Sequence, residues 1–207
     1  MADNKAIREP RQKRSMEKKQ LVIDTARELF CRNGYHNTTT NEIAKEAGLS
    51  IGTLYSYFAD KETILLELLE QYNEHFYRVF DFIDTEENVR LYFSDLHKWI
   101  RLLVDNLIRL HDPQIAFYRE LEVLYYSIPE VTAMMDAQTE RVRLATLNLM
   151  EKYKEKIKCN DLEAASVVAV DFINALVDRI VFKENVVDKE RLIISGVDAI
   201  YKTFTRE

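Results

Sequence analysis

Apolar residues recur along this chain at steps of three and four, the period of helices that bury one face. Leu21, Val22, Thr25, Ala26, Leu29 and Phe30 line a first helix, expected over residues 19–33 with Gly34 as its stop. Ile43, Ala44 and Ala47 give a short second helix its apolar face, and Thr39 precedes Glu42 by three residues, the spacing of a capping box. Gly48 suits the left-handed conformation that closes a helix, and Leu49 can drop between two helices. Ser50 then caps a third helix, whose inward candidates are Ile51, Leu54 and Phe58. Two short helices about a tight turn make a helix-turn-helix, packed on the first helix as a three-helix core with Tyr35 filling its corner.

Beyond Asp60, a good cap, Ile64, Leu65, Leu68, Leu69, Tyr72, Phe76, Val79, Phe80 and Ile83 predict one long helix. It would be shared between the N-terminal unit and the rest of the chain, so that tilting it moves the helices before it. Asp84 with Glu87 repeats the capping-box spacing, ahead of a helix burying Val89, Tyr92, Phe93, Leu96, Trp99, Ile100, Leu103 and Leu107. His111-Asp112-Pro113 marks a break, with Asp112 the expected cap of an aromatic-rich helix over about residues 114–126. Ser127-Ile128-Pro129 breaks again, and residues 130–158 read as another long helix. Asn160 with Glu163 opens a helix over residues 161–181, apolar almost all round, and a last helix covers residues 188–204.

A late helix with apolar groups on every side is hard to cover within one domain. Pairing the last two helices with their copies in a second subunit, as a four-helix bundle, covers both faces. The candidate dimer interface is Val168, Phe172, Leu176, Ile193, Gly196, Val197, Ile200 and Phe204, with Gly196 and Ala199 letting backbones approach. The alternative is a helix internal to a monomer.

Charge sharpens the picture of the N-terminal part. The chain of 207 residues has a net charge of -6, yet residues 1–35 hold nine Lys or Arg against five Asp or Glu, and residues 36–62 two against four. The first 62 residues therefore stand at +2 and the remainder at -8. An acidic body does not prevent a basic end from meeting DNA. Residues 1–18 form an expected flexible basic arm, suited to the DNA backbone or a minor groove, or simply a loose tail. Cys31 and Cys159 make no disulfide framework, no apolar run reaches membrane-spanning length, and residues 1–20 lack the apolar core of a signal peptide. A cytoplasmic protein is expected. His36, His75, His97 and His111 have no metal-ligand spacing, and the chain lacks a nucleophile elbow, a phosphate-cradling glycine loop and HExxH. No enzyme, metal or cofactor is expected.

The ordered string from Ala26-Arg27-Glu28-Leu29-Phe30 through Gly34-Tyr35, Thr38-Thr39, Ile43-Ala44, Ala47-Gly48-Leu49-Ser50, Gly52-Thr53-Leu54-Tyr55 and Tyr57-Phe58 to Asp60-Lys61-Glu62 closely resembles the N-terminal DNA-binding domain of the TetR family of transcriptional regulators. The resemblance covers about the first third of the chain. It implies an all-α fold with three parts: the arm over residues 1–18, a helix-turn-helix domain over residues 19–62, and a larger helical effector-binding and dimerisation domain over residues 63–207. The implied protein is a homodimer on double-stranded operator DNA with inverted-repeat symmetry, a repressor released by a small hydrophobic or amphipathic effector. An accessory DNA-binding protein without effector and an all-helical enzyme are the alternatives.

Thr53 and Tyr55 are the candidates for contact at or near base edges, and Gly52 for close approach of the backbone. Thr39 and Thr40 suit a phosphate, and Tyr57 and Lys61 are expected backbone clamps. Ile51 stands where many relatives are polar or basic, and no arginine lies in the reading helix, so specificity would lean on thymine methyls, groove shape and the arm. The resemblance also implies a pocket among the later helices. Candidate lining residues are Tyr92, His97, Trp99, Tyr118, Glu122, Tyr125, Gln138, Arg141, Asp171 and Asn174, although the aromatics over residues 92–126 equally suit core packing. Asp171, Asn174 and Asp178 form a polar stripe that could line the pocket with Arg141 as counter-charge, meet its copy in the dimer, or face water.

Overall fold

The computed structural model describes residues 13–83, 85–111 and 115–205. The fold is all-α, in chain order α1 (Lys13–Asn33), α2 (Thr40–Glu46), α3 (Ile51–Leu54), α4 (Lys61–Ile83), α5 (Glu86–Ser94), α6 (Leu96–His111), α7 (Ile115–Tyr125), α8 (Pro129–Lys152), α9 (Leu162–Phe182) and α10 (Lys189–Phe204). Among the described residues there is no strand, and one isolated antiparallel bridge joins Ile157 to Thr205.

Several boundaries differ from the sequence pattern, each for a local reason. The first helix starts at Lys13, ahead of the expected Lys19, and the Ser15 hydroxyl lies 3.1 Å from that of Tyr57. Residues 1–12 of the expected arm lie outside the described residues, as do Asp84 and Asp112. Thr85 caps α5 by accepting the Asn88 N–H, and Asp161, not Asn160, caps α9 by accepting the Ala164 N–H at 3.0 Å. In both places two capping residues stand side by side and the second takes the role. The single helix expected across residues 87–107 is two, because the Asp95 carboxylate accepts the Lys98 N–H at 2.9 Å and restarts the chain as α6. The helix expected to reach residue 158 ends at Lys152, tightens into a 3-10 turn at Lys154–Lys156, and gives way to the Ile157 bridge.

Packing divides the chain into two compact units. One comprises Met1–Tyr72 with Ala116–Thr132, the other Asn73–Ile115 with Ala133–Glu207. The boundary therefore falls inside α4, at the first residue of α7 and near the start of α8. In the first unit Ile23, Phe30, Ile43, Leu54, Phe58, Ile64, Leu65 and Leu69 are buried together with Phe117, Leu121 and Leu124 from α7. The second unit has its own core, in which Trp99, Ile100, Val104 and Leu107 of α6 join Ala165, Ala169, Val170 and Val177 of α9 and Ile193, Val197, Ile200 and Phe204 of α10.

Candidate nucleic-acid interface and cavity

The helix-turn-helix is held by short-range hydrogen bonds. Thr39 Oγ1 accepts the Glu42 N–H at 3.2 Å while Glu42 Oε2 accepts the Thr39 N–H at 2.8 Å, completing the capping box. Hydrogen bonds from the Thr39 side chain and backbone hold the Glu42 carboxyl below its ordinary pKa. Gly48 takes φ 65°, and the Leu49 N–H reaches back to the Ala44 carbonyl at 2.9 Å, so the chain reverses where only glycine turns without strain. Ser50 Oγ caps α3 by accepting the Thr53 N–H at 3.1 Å and lies 2.8 Å from the Thr53 hydroxyl. Leu54 and Phe58 are buried and Ile51 is half-buried.

That anchoring fixes what faces outward. Gly52 and Tyr55 are exposed, and Thr53 and Tyr57 are half-buried. The Tyr55 hydroxyl lies 3.0 Å from the Thr40 hydroxyl, joining the start of α2 to α3 in one polar surface. Thr39 stands exposed beside it. A Cβ added at Gly52 would meet nothing nearer than Ser50 Oγ at 4.0 Å, so the fold itself does not demand glycine there.

Lys61 takes a different place from the clamp that the resemblance implies. Its ammonium donates to the Tyr35 carbonyl at 2.7 Å and the Thr38 carbonyl at 2.8 Å, and lies 4.2 Å from the Tyr35 ring centroid. Partial burial lowers its pKa. From α7, Glu120 Oε1 accepts the Tyr35 N–H at 2.5 Å. The corner between α1 and α2 is thus gripped on both sides, and two of the three ammonium protons point inward. Lys61 is a brace of the reading unit. Burial, with Glu62 and Asp60 nearby, pushes the Tyr35 hydroxyl up to about 12.

The second unit encloses a cavity of about 470 Å³. Three of the expected pocket residues line it: Tyr92, Trp99 and Arg141. Seven do not. His97 Nε2 pairs with Asp198 Oδ1 at 2.6 Å, so the α6–α10 contact takes up its ring. Tyr118 packs 6.1 Å from the Tyr72 ring and Tyr125 4.9 Å from the Tyr126 ring, both in the first unit, where Glu122 is exposed. Gln138 is half-buried on α8 but outside the lining, and Asp171 and Asn174 are exposed on α9. Arg141 Cζ lies 3.7 Å from the ring centroid of Tyr77, a residue of α4 outside the apolar pattern. Tyr77, Ile157 and Thr205 reach the cavity from distant stretches, and no local signal marks them.

The expected dimer face also changes. Ile193, Gly196, Val197, Ile200 and Phe204 are buried within the chain's own second unit. A Cβ on Gly196 would overlap Leu176 Cδ2, so this glycine serves the crossing of α9 and α10 in one chain. Val168 remains 55% exposed, and with Val167, Ile194 and half-buried Phe172 and Leu176 it forms the outward apolar surface of these helices.

Residues 22–68 match the family described as bacterial regulatory proteins, tetR family, and residues 77–203 match tetracyclin repressor-like, C-terminal domain. The second match alone spans more than half of the chain. The chain belongs to the TetR family. This TetR-family protein carries the helix-turn-helix within the first matched region. It is 30% identical over 147 residues to an uncharacterized HTH-type transcriptional regulator of Bacillus subtilis, YuxN, a match covering 71% of this chain and 43% of that protein. The chain thus spans less than half the length of that relative. Its fold is similar to a TetR-family regulator from Mesorhizobium loti, with 20% identity, TM-score 0.72, and coverage of 94% of this chain and 100% of the other. It is also similar in fold to SmeT, the repressor of the Stenotrophomonas maltophilia multidrug efflux pump SmeDEF, with 14% identity, TM-score 0.70 and 91% of each chain covered. SmeT has also been solved with triclosan. Among the described residues no helix is long and apolar enough to cross a membrane, and no group of three His, Cys, Asp or Glu could hold a metal ion.

Proposed function

We propose that this protein is a homodimeric cytoplasmic repressor that sits on an inverted-repeat operator and leaves it when a small hydrophobic or amphipathic ligand fills the cavity of the second unit. The observation that carries the reading is that cavity: about 470 Å³ of largely apolar space, with Trp99 and Tyr92 in its wall, in a chain whose other unit is a finished helix-turn-helix. Its size falls in the range of small-molecule sites. The SmeT–triclosan complex gives a TetR-fold precedent for such a ligand.

Thr53 and Tyr55 read or approach base edges, the open backbone at Gly52 admits the groove wall, and Thr39, Thr40 and Tyr57 meet phosphates. Residues 19–62 are the reading domain, and the second unit is the effector and dimer domain. Two copies join through the outward face of α9 and α10, around Val168, Phe172 and Leu176, which sets the two reading helices roughly 34 Å apart. The ligand acts by preferring a different spacing, and it shifts the equilibrium only by its differential affinity for the two states. α4, which runs through the unit boundary, transmits the change.

The test is selection of bound duplexes from a random pool by the purified protein at fixed salt, followed by challenge of the enriched duplex with hydrophobic compounds. An enriched inverted repeat released by a cavity ligand is expected. Absence of any enriched sequence from folded protein overturns the operator reading, and release by no compound that occupies the cavity leaves an accessory DNA-binding protein.

A further inference from the structure

We infer that the ligand of this cavity is an amphipathic anion, a monocarboxylate on an extended apolar body, whose headgroup sits at Arg141 and whose tail lies on the buried floor. The inference rests on the ligand-responsive reading above. Among the described residues two formally charged side chains line the cavity, Arg141 and Lys152, both cations, and no described carboxylate does. Both come from α8, where Arg141, Ala145, Asn148 and Lys152 fall on one face at i, i+4, i+7 and i+11. A helical rise of about 1.5 Å per residue separates the two cations along the axis by roughly 16 Å. The side chains of this stripe are exposed and form a rim, whereas Trp99, Ile100, Leu103, Met150, Ala169 and Phe204 form a buried apolar floor.

The two rim cations are not equivalent. Arg141 Cζ lies over Tyr77, 3.7 Å from the ring centroid, and among the described residues no carboxylate pairs with it. Its neighbours in the same unit are paired: Arg143 with Glu140 at 2.6 Å, and Arg101 with both Glu190 and Asp105. Lys152 lies 5.2 Å from the Tyr153 ring. A stacked guanidinium with unused donors presents a planar fork to a carboxylate. A quaternary ammonium would meet the like charge of Arg141 and, among the described lining residues, no carboxylate. A neutral alcohol would fill the floor and gain nothing from the fork.

Trp99 is the one tryptophan of the chain, so its fluorescence reports occupancy directly. Dodecanoate, dodecanol and dodecyltrimethylammonium, each below its micelle concentration, are titrated into the full-length protein. Dodecanoate is expected to bind about 10-fold or more tighter than dodecanol, with the ammonium weakest. Arg141→Gln removes that preference while leaving dodecanol affinity unchanged, Arg141→Lys restores part of it, and an unchanged melting curve certifies both variants. Equal binding of acid and alcohol, tighter binding of the ammonium, or an Arg141→Gln effect equal for both probes overturns the inference while the cavity reading stands. Silence of Trp99 to all three probes overturns both.

Discussion

The two units solve the packing problem differently. Among the described residues, eleven of the twelve largest side chains sealed to below 2% exposure belong to the first unit and one, Ile180, to the second. The first unit is the smaller, yet α7 is folded into it and Glu120 and Lys61 grip its α1–α2 corner from opposite sides. The second unit is larger and keeps about 470 Å³ of open space at its core. A part that reads base edges needs fixed geometry, because a displaced contact loses its hydrogen bond. On the proposed function the second unit answers a ligand, which needs room and alternatives that close packing would deny.

The sharpest way to break this contrast is a pair of identical truncations. Leu54→Ala, in the sealed core, is expected to cost about 4–5 kcal/mol, near the top of the range for such changes, and to abolish DNA retention. Leu103→Ala, whose side chain already borders the cavity, should cost about 2–3 kcal/mol. Urea denaturation measures both, and equal costs would remove the distinction. Next comes acid. His111 is buried between the Phe76 and Phe182 rings, and burial pushes its pKa down to about 4. An imidazole free in the unfolded chain titrates near 6.5, so the unfolded state binds more protons between these values. Stability is full above about pH 6.5 and falls on acidification toward pH 4, by about 3 kcal/mol in all. His111→Gln should flatten that slope; an unchanged slope would place the acid sensitivity elsewhere.

Lys61→Met is expected to cost about 1.5–3 kcal/mol, the range of hydrogen bonds made by charged groups. It should weaken binding to every duplex without changing the salt dependence. A fall in the salt slope by about one ion would instead make Lys61 a phosphate contact. The smallest effect sharpens the comparison from the other side. Ala169→Leu, filling the cavity, should stabilise the second unit by about 1 kcal/mol and abolish the response of Trp99 to ligand while operator binding persists. Retained ligand binding would show that the cavity is not the site.

The reading unit was legible because its signals are local. Thr39 and Glu42, Gly48, Ser50, Leu54 and Phe58 stand within twenty residues, and each does in the structure what its spacing indicates. What stayed hidden depends on distant partners. Glu120 meets Tyr35 across 85 positions, and Lys61 reaches its two carbonyls across 26 and 23. A periodic apolar face announces that something covers it but not what, so Ile193, Val197, Ile200 and Phe204 read as a subunit interface though their own chain buries them. The expected pocket was legible only through Tyr92, Trp99 and Arg141, for the same reason. Its wall combines α4, α5, α6, α8, α9 and α10, and a void leaves no mark on the side chains that border it.

On the proposed function, occupancy of the second unit's cavity sets the grip of the first unit on DNA. The direct measurement is fluorescence anisotropy of the enriched duplex titrated with protein at fixed salt, with and without a compound that saturates the Trp99 signal. Two chains per duplex and a fall in operator affinity of about 10-fold or more with the cavity filled are predicted, within the usual scale of allosteric coupling. An operator affinity that does not change while Trp99 reports full occupancy would show that the cavity does not control DNA binding.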